Sequence, residues 1–375
     1  MEQKTFIYCF LHNFDGIGKG IKNKIFDQLK ALKNLNFETH LLTVTDKSLT
    51  LDKTSISLSN NKYLIKLLSP FKAYKLINRK YDYLYVRGFG LDPMLFFFLK
   101  KTRKYFGKII YEIPTYPYDI EISSRGIFGK IYLLIDKSLR KKLKKYVDFI
   151  VNVDEYREIW GIPAIPIHNC IDTSTVEFTG YVKKENKELN ILGVAGLRVY
   201  HGYDRIIKGI AEYYNAFINN NGYEIYFHIV GVGIEEKNLK NLVKTLNLES
   251  RIIFHGALYN EQLTNIFKKS QIAIGSLGMH KIHLEKGSVL KVREYFARGI
   301  PFVIAYDDIA IRELEKYYLK VENNDDPIDI VAIIKWYESL NFNPIEMRDI
   351  AENIFSWEKQ FSIMFNTIHS YNRLM

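Results

Sequence analysis

The sequence predicts an α/β protein of two domains, each a parallel sheet layered with helices. Three observations carry this. The chain has 375 residues, too many for one ordinary core and well suited to two of similar size. Strand-length apolar runs alternate with helix-length periodic segments almost throughout, the pattern of parallel α/β layers. That pattern stops and restarts once, so residues 1–165 are expected to form a first domain, 166–188 a connector and 189–354 a second domain. Open α/β sheets bind ligands at the carboxyl ends of their strands, which makes a cleft between the two halves the default site.

The elements follow in order. Residues 5–11 read as the first strand and lead into the glycine turn from Asp15 to Gly20. In the helix that follows, Ile21, Ile25, Leu29 and Leu32 share one face. Further strands are expected at 38–44, 82–86, 108–113 and 148–153. Residues 164–172 and the charged stretch 183–188 look like linking chain. A new strand opens at 189–196, followed by a turn and a helix over about 203–217. Strands recur at 224–230, 252–255, 272–275 and 301–305, with helical segments between them.

Composition narrows the class. With 47% hydrophobic and 25% charged residues the chain reads as an ordinary soluble protein, and its 14% aromatic share is core material first. Cys9 and Cys170 form no paired motif, so a reducing, cytoplasmic setting is expected. The apolar run at 6–11 is too short for a signal peptide, and that at 91–99 too short to span a membrane, which takes about 20 apolar residues. The net charge of +11 sits in one half: residues 1–165 hold 29 Lys and Arg against 16 Asp and Glu, the remainder 24 against 26. The densest cluster is Arg140, Lys141, Lys142, Lys144 and Lys145; Lys100, Lys101, Arg103 and Lys104 form a second. Two readings of the first cluster stand open, a solvated helix face or an attachment to an anionic membrane surface at about 1 kcal/mol per basic residue. No recognition module for nucleic acid accompanies the charge, so nucleic acid is not an expected partner.

The motifs exclude several chemistries. Gly16, Gly18 and Gly20 stand between a strand and a helix, where backbone N–H groups can approach a phosphate or a sugar. Their spacing is not the dinucleotide GxGxxG, and a plain tight turn explains them equally well. The chain holds no GxxxxGK[ST], GxSxG or HExxH sequence. His280, His283 and Glu285 are metal-ligand types, but they lie in a Gly-rich loop without a further His or Cys cluster, and no metal is expected there. The informative stretch runs from Glu285 to Pro301. Ser288 is a natural N-cap for a helix whose first turn offers free N–H groups at Val289 and Leu290, a ready anion site. Lys291 and Glu294 lie one turn apart and can flank whatever sits there. Gly299 ends the helix and Pro301 opens the next strand.

At this point a resemblance becomes specific. Leu290-Lys-Val-Arg-Glu-Tyr-Phe-Ala-Arg-Gly-Ile-Pro301 resembles the nucleotide-sugar signature of the large group 1 (family 4) glycosyltransferases. The similarity extends over nearly the whole chain. Asp15 to Gly20 resembles the N-terminal glycine loop, and Asn169-Cys-Ile-Asp172 the turn between domains. Gly196 to Arg205 resembles the first loop of the nucleotide domain, Phe254-His-Gly256 the loop near the base, and Phe355-Ser-Trp-Glu358 the start of the last helix. The resemblance implies the GT-B fold, two Rossmann-like α/β/α domains facing a central cleft, with a helix at 355–375 crossing back to the N-terminal domain.

It also implies a function: retaining, metal-independent transfer of a hexose-type sugar from a nucleotide diphosphate sugar to a glycan. A lipid-linked acceptor, with the protein peripheral on the inner membrane face, fits the basic first half. Ser288, Val289 and Leu290 would hold the diphosphate and Glu294 the ribose hydroxyls, with Gly16, Gly18, Gly202 and Gly256 on the donor's loops. Arg87, Glu112, Tyr116 and Asp119 would line the acceptor side. Two departures stand out. Position 286 is Lys where the paired acidic motif has its first glutamate, leaving Glu285 as the nearest substitute. Gly196 and His201 fall where the first loop has Arg and Lys, so Arg198, His201 and Arg205 would join Lys291 in supplying charge. Alternatives are another GT-B enzyme, an epimerase or phosphorylase, or a catalytically degenerate sugar-nucleotide-binding subunit.

Overall fold

A computed structural model describes residues 3–58, 62–88, 90–153, 155–216 and 222–374. It divides into two units, residues 1–168 with 357–375, and residues 169–356. The expected connector is thus no separate body: 166–168 belong to the first unit and 169–188 to the second.

The first unit begins with β1 (Thr5–Asn13), α1 (Lys19–Asn34), β2 (Glu38–Val44), β3 (Ser48–Leu51), β4 (Thr54–Ser57) and α2 (Lys62–Leu76). It continues through β5 (Tyr81–Arg87), α3 (Pro93–Thr102), β6 (Phe106–Ile113), α4 (Asp119–Ser123), α5 (Ile127–Leu143), β7 (Phe149–Asn152), β8 (Glu158–Ile159) and β9 (Ile162–Pro166). Among the described residues these strands form a nine-stranded sheet ordered β4-β3-β2-β1-β5-β6-β7-β9-β8. Its centre is parallel, and β3, β4 and β8 add antiparallel edges. Phe6 to Phe10 are all buried, as expected of a strand covered on both faces. The run at 91–99 is a short capped helix: Asp92 accepts from the N–H groups of Met94 and Leu95, both at 2.9 Å, and Pro93 fills the first helical position.

The second unit holds β10 (Glu188–Val194), α6 (Tyr203–Ala216), β11 (Glu224–Val230), α7 (Glu236–Thr245), β12 (Ile252–Gly256), α8 (Asn260–Lys269), β13 (Ile272–Ile274), α9 (Leu290–Arg298), β14 (Phe302–Ile304), β15 (Tyr318–Lys320), α10 (Ile330–Ser339) and α11 (Pro344–Asn353). Its strands run parallel in the order β12-β11-β10-β13-β14-β15. Residue 217, the expected end of α6, lies outside the described residues.

The last helix, α12 (Trp357–Leu374), returns to the first unit. Phe365 stacks on Phe37 at 4.5 Å and meets Tyr83 edge-on at 5.2 Å. The helix starts two residues later than expected. Phe355 stays in the second unit, packed against Phe296 and under the Arg293 guanidinium. The hairpin β3–β4 and the strands β8, β9 and β15 have no counterpart in the expected elements. They are edge additions of two to five residues, too short to show a period.

Candidate active site

The second unit gathers its functional side chains at the carboxyl ends of β10 and β13 and the amino end of α9. The chain leaving β10 passes through Ala195, Gly196 and Leu197 into one 3-10 turn, Val199–His201. It is tied to the loop after β11, with the Ala195 N–H donating to the Val230 carbonyl (2.9 Å) and the Leu197 N–H to that of Val232 (3.0 Å). Gly231 and Gly233 permit this approach. A Cβ there would fall 1.8 and 2.2 Å from the carbonyl oxygens of Ala195 and Leu197. The opposite side is tied to the loop after β13, where Leu277 and Gly278 donate to the carbonyls of His201 and Tyr200. Gly202 closes the turn at φ +64°, and a Cβ there would lie 2.6 Å from the Leu277 carbonyl carbon.

Lys291, on the first turn of α9, brings its Nζ to 3.1 Å from His201 Nδ1. Burial drives the Lys291 ammonium down to about 7. Burial, and next the adjacent Lys291, drive His201 down to about 2. His201 is therefore neutral and accepts from Lys291, which corrects the expectation that it supplies a positive charge. The second expected cation is corrected too. Arg205 is buried and spends its donors on the carbonyls of Asp326 (2.7 Å), Leu277 (2.5 Å) and Glu322 (3.0 Å) and on Asn324 Oδ1 (2.8 Å). It pins two loops together. Arg198 is exposed and, with Lys291, makes up the charge of this loop cluster.

The α9 terminus also differs from expectation. Its N-cap is Val289, without a side-chain cap bond, rather than Ser288. The Ser288 hydroxyl accepts from the Asn169 N–H (3.1 Å) and Arg293 Nη2 (2.9 Å), while Asn169 Nδ2 donates to the Ser288 carbonyl (2.5 Å). Ser288 is held by a neighbouring loop and leaves the first-turn N–H groups of Leu290 and Lys291 uncapped. One turn on, Glu294 Oε1 accepts from Arg298 Nε and Nη2, both at 2.8 Å. Arg298 is itself buried over the Phe267 ring. The carboxylate is thereby fixed in direction, and among the described residues its Oε2 has no partner.

Glu285 is exposed, and its contribution is backbone: its carbonyl accepts from the Asp307 N–H (2.8 Å), while the Gly287 N–H donates to the Asp307 carbonyl (2.9 Å). Lys286 sits at the centre of that bridge, so the segment is pinned against the one-residue shift that would move Glu285 into its place. Gly256 ends β12 at φ +66°, and its carbonyl accepts from Gly231. His280 is bound to Asn323 (3.1 Å) and Asp325 (3.0 Å).

In the first unit, Gly16 and Gly18 lie in the turn before α1, with Gly18 as its N-cap. Arg87 and Glu112 are buried and ion-paired with each other, and Lys24 lies 3.0 Å from the carboxylate. Desolvation would raise the Glu112 carboxyl, but Arg87 and Lys24 outweigh it and hold it at about 2. The pair forms an interior network rather than the open lining expected. Tyr116 is half-buried, edge-on to Tyr156 at 4.9 Å. Asp119 accepts from Arg140 at 2.7 Å. Arg140 is no membrane-facing residue: it is buried, paired with Asp136 and lies over the rings of Tyr118 and Trp160. Lys141, Lys142, Lys144 and Lys145 are exposed.

Sequence reading missed Arg293, Asp308 and Arg298, which orient this cluster, and the pair Gly231 and Gly233. The glycines had a signal, a Gly-x-Gly directly after a strand. The arginines had none beyond the four-residue spacing of Glu294 and Arg298. Together, an uncapped helix terminus, a lysine tuned towards neutrality and a clamped carboxylate can hold an anion beside a group that donates hydrogen bonds.

Residues 177–357 match the family model described as Glycosyl transferases group 1. Protein CapJ of Staphylococcus aureus is 25% identical over 250 residues, 63% of this chain and 56% of CapJ, so the match spans little more than half of that relative. The fold is shared with a glycosyltransferase from Rickettsia africae ESF-5 at TM-score 0.62 and 14% identity, covering 100% of this chain and 99% of that one. It is also shared with the lipopolysaccharide outer core galactosyltransferase WaaB at TM-score 0.60 and 13% identity, covering 97% and 99%. Residues 177–357, nearly all of the second unit, thus match the group 1 glycosyl transferases, and the chain as a whole has the GT-B fold common to these structures.

Proposed function

We propose that the protein transfers a hexose-type sugar from a nucleotide diphosphate sugar to a lipid-linked glycan acceptor in polysaccharide biosynthesis, with retention of anomeric configuration. The observation that carries the reading is the α9 terminus, where Lys291 and uncapped N–H groups stand one turn from a carboxylate fixed by Arg298. In the transfer, the bond from the anomeric carbon to the diphosphate oxygen breaks. The acceptor hydroxyl oxygen bonds that carbon on the same face, and its proton passes to the departing diphosphate. Negative charge develops on the leaving group, and fixed donors aimed there lower the barrier. Leu290 and Lys291 N–H, the Lys291 ammonium and Arg198 take that role. Glu294 Oε2 accepts from the ribose hydroxyls. The charge is met by protein groups, so the reaction needs no divalent ion.

The first unit takes the acceptor, with Tyr116 and Asp119 on its lining. The lipid part of the reading is supported by the exposed Lys141, Lys142, Lys144 and Lys145, suited to the anionic inner face of a cell membrane, and by a fold shared with an enzyme named for lipopolysaccharide. Among the described residues no helix is long and apolar enough to cross a membrane; the attachment proposed here is peripheral.

A thermal-shift panel of UDP-, GDP- and ADP-sugars identifies the donor, and turnover is then measured with and without EDTA. Glu294→Ala is expected to weaken the preferred donor by about 1.5–3 kcal/mol, the worth of hydrogen bonds to a charged group, with turnover indifferent to EDTA. Retained affinity in Glu294→Ala sinks the ribose assignment; loss of turnover in EDTA sinks the metal-free one.

A further inference from the structure

α5 is apolar on both sides, unlike an ordinary surface helix with one apolar stripe. Its inner side packs Tyr132, Leu133, Leu139 and Leu143 on the core of the first unit, with Gly129, Asp136 and Arg140 buried among them. Gly129 sits so close to α4 that a Cβ would lie 2.1 Å from the Ile122 carbonyl oxygen. Asp136 is fully buried, accepts from the Leu91 N–H (2.7 Å) and the Tyr118 hydroxyl (3.0 Å), and pairs with Arg140. A buried charged pair thus joins apolar residues in anchoring the inner face.

A second set of apolar residues is on the other face. Ile127, Ile131 and Leu134 fall at the i, i+4, i+7 spacing of a single stripe opposite Asp136 and Arg140, with Phe128 and Ile135 beside it. Phe128 is 82% exposed, Leu134 70% and Ile127 66%. Lys130, Lys137 and Lys141 run along one flank of the stripe, and Lys142, Lys144 and Lys145 close its carboxyl end, all exposed. A contiguous apolar patch of this kind calls for a partner. A second copy of the chain suits it poorly, because a two-fold contact across the stripe would set one lysine flank against another. An apolar interior beneath an anionic surface satisfies both halves of the face.

We infer that α5 is a membrane-docking helix, lying in the interface of an anionic bilayer with Ile127, Phe128, Ile131 and Leu134 among the acyl chains and its lysines on the headgroup phosphates. This places the docking on an apolar ridge, with the lysine cluster as its flank. It deepens the lipid-borne acceptor proposed above and rests on that reading for its purpose. The binding itself needs neither donor nor acceptor, so the two can fail separately.

The test is co-sedimentation of the full chain with vesicles of phosphatidylcholine and phosphatidylglycerol, without substrates. The protein is expected to pellet, and to keep part of its binding in high salt. Phe128→Asp with Leu134→Asp should lower the bound fraction at least about tenfold, since binding scales with buried apolar area. Lys141→Gln with Lys142→Gln and Lys144→Gln should weaken binding to anionic vesicles and flatten its salt dependence. As a measurement independent of that variant's folding, Ile131→Cys bearing an environment-sensitive fluorophore should shift to the blue on vesicle addition. Unchanged pelleting of the double aspartate variant, the absence of a fluorescence shift, or binding abolished by salt alone overturns the inference. So does a wild-type dimer that Leu134→Asp renders monomeric. Failure of sugar transfer to a lipid-borne acceptor, with vesicle binding intact, would instead count against the proposed function.

Discussion

Lys291→Gln is expected to lower turnover by about 10²–10³-fold, the cost of removing one donor aimed at developing charge. It should also abolish a pH dependence that the wild type shows in donor binding. With its ammonium held down to about 7, free Lys291 is half-protonated near neutrality. The diphosphate of a nucleotide sugar stays fully ionised there and pulls the lysine back to its charged form on binding. Affinity is therefore highest below pH 7 and falls as pH rises through it, by at most about tenfold per unit because one proton is coupled. Calorimetry across pH 6 to 9 with the donor from the panel should give that slope in the wild type and a flat profile in Lys291→Gln. Stability moves the other way. The unfolded lysine titrates near 10.5 and the folded one near 7, so between those values the unfolded chain binds more protons and stability rises with pH. Lys291→Met should accordingly raise the melting temperature more at pH 6 than at pH 9. A steep donor profile in Lys291→Gln, or a variant no more stable at pH 6 than the wild type, would remove Lys291 from the site.

Much of the architecture was readable because its carriers are local. β1 is a continuous buried run, α1 repeats its apolar residues at helical spacing, and Gly299 with Pro301 marks the end of α9 and the approach to β14 within three residues. β2 and β11 have the expected ends, and most other strands differ from expectation by one or two residues. The hairpin β3–β4 escaped because Asp52 and Lys53 at its tip lack the Asn-Gly type of turn signal and each arm has only four residues.

The site was readable only as far as its chemistry is carried in one segment. Lys291 and Glu294 share a helix turn. His201 loses its charge to burial and to a lysine ninety positions away, a pairing no local pattern displays. Arg205 bonds mostly to main-chain carbonyls of residues 277, 322 and 326, which side-chain identities do not reveal. Arg140 did carry a hint, Asp136 one turn before it. A run of basic residues read as one patch hid the fact that a helix sends its third and fourth neighbours to one side and the rest elsewhere.

Arg293→Ala is expected to be the most destabilising single change in the second unit, by about 3–5 kcal/mol, the cost of removing one partner from a buried ion pair. Arg293 is fully buried, 2.8 Å from Asp308, and also donates to Ser288 Oγ and the Asn169 carbonyl (3.0 Å) while lying over the Phe355 ring. Removing it leaves the Asp308 carboxylate buried without its counter-charge. For a unit of this size the melting temperature should fall by roughly 10 °C. Lysine is a poor substitute, because a single ammonium cannot reach Asp308, Ser288 and Asn169 as the planar fork does. The pair is also incompletely satisfied: Arg293 Nη1 and Asp308 Oδ2 are buried without partners among the described residues. A half-satisfied buried pair is a costly way to gain stability alone. What it secures is position, since Ser288 and Asn169 hang from the same guanidinium that sits just behind the open end of α9. Below its lowered melting temperature, Arg293→Lys should therefore bind donor more weakly than the wild type although Lys291 and Glu294 are intact. Denaturant unfolding and donor calorimetry on the same sample separate the two effects, and donor affinity equal to wild type in a folded Arg293→Lys would reduce Arg293 to a purely structural residue.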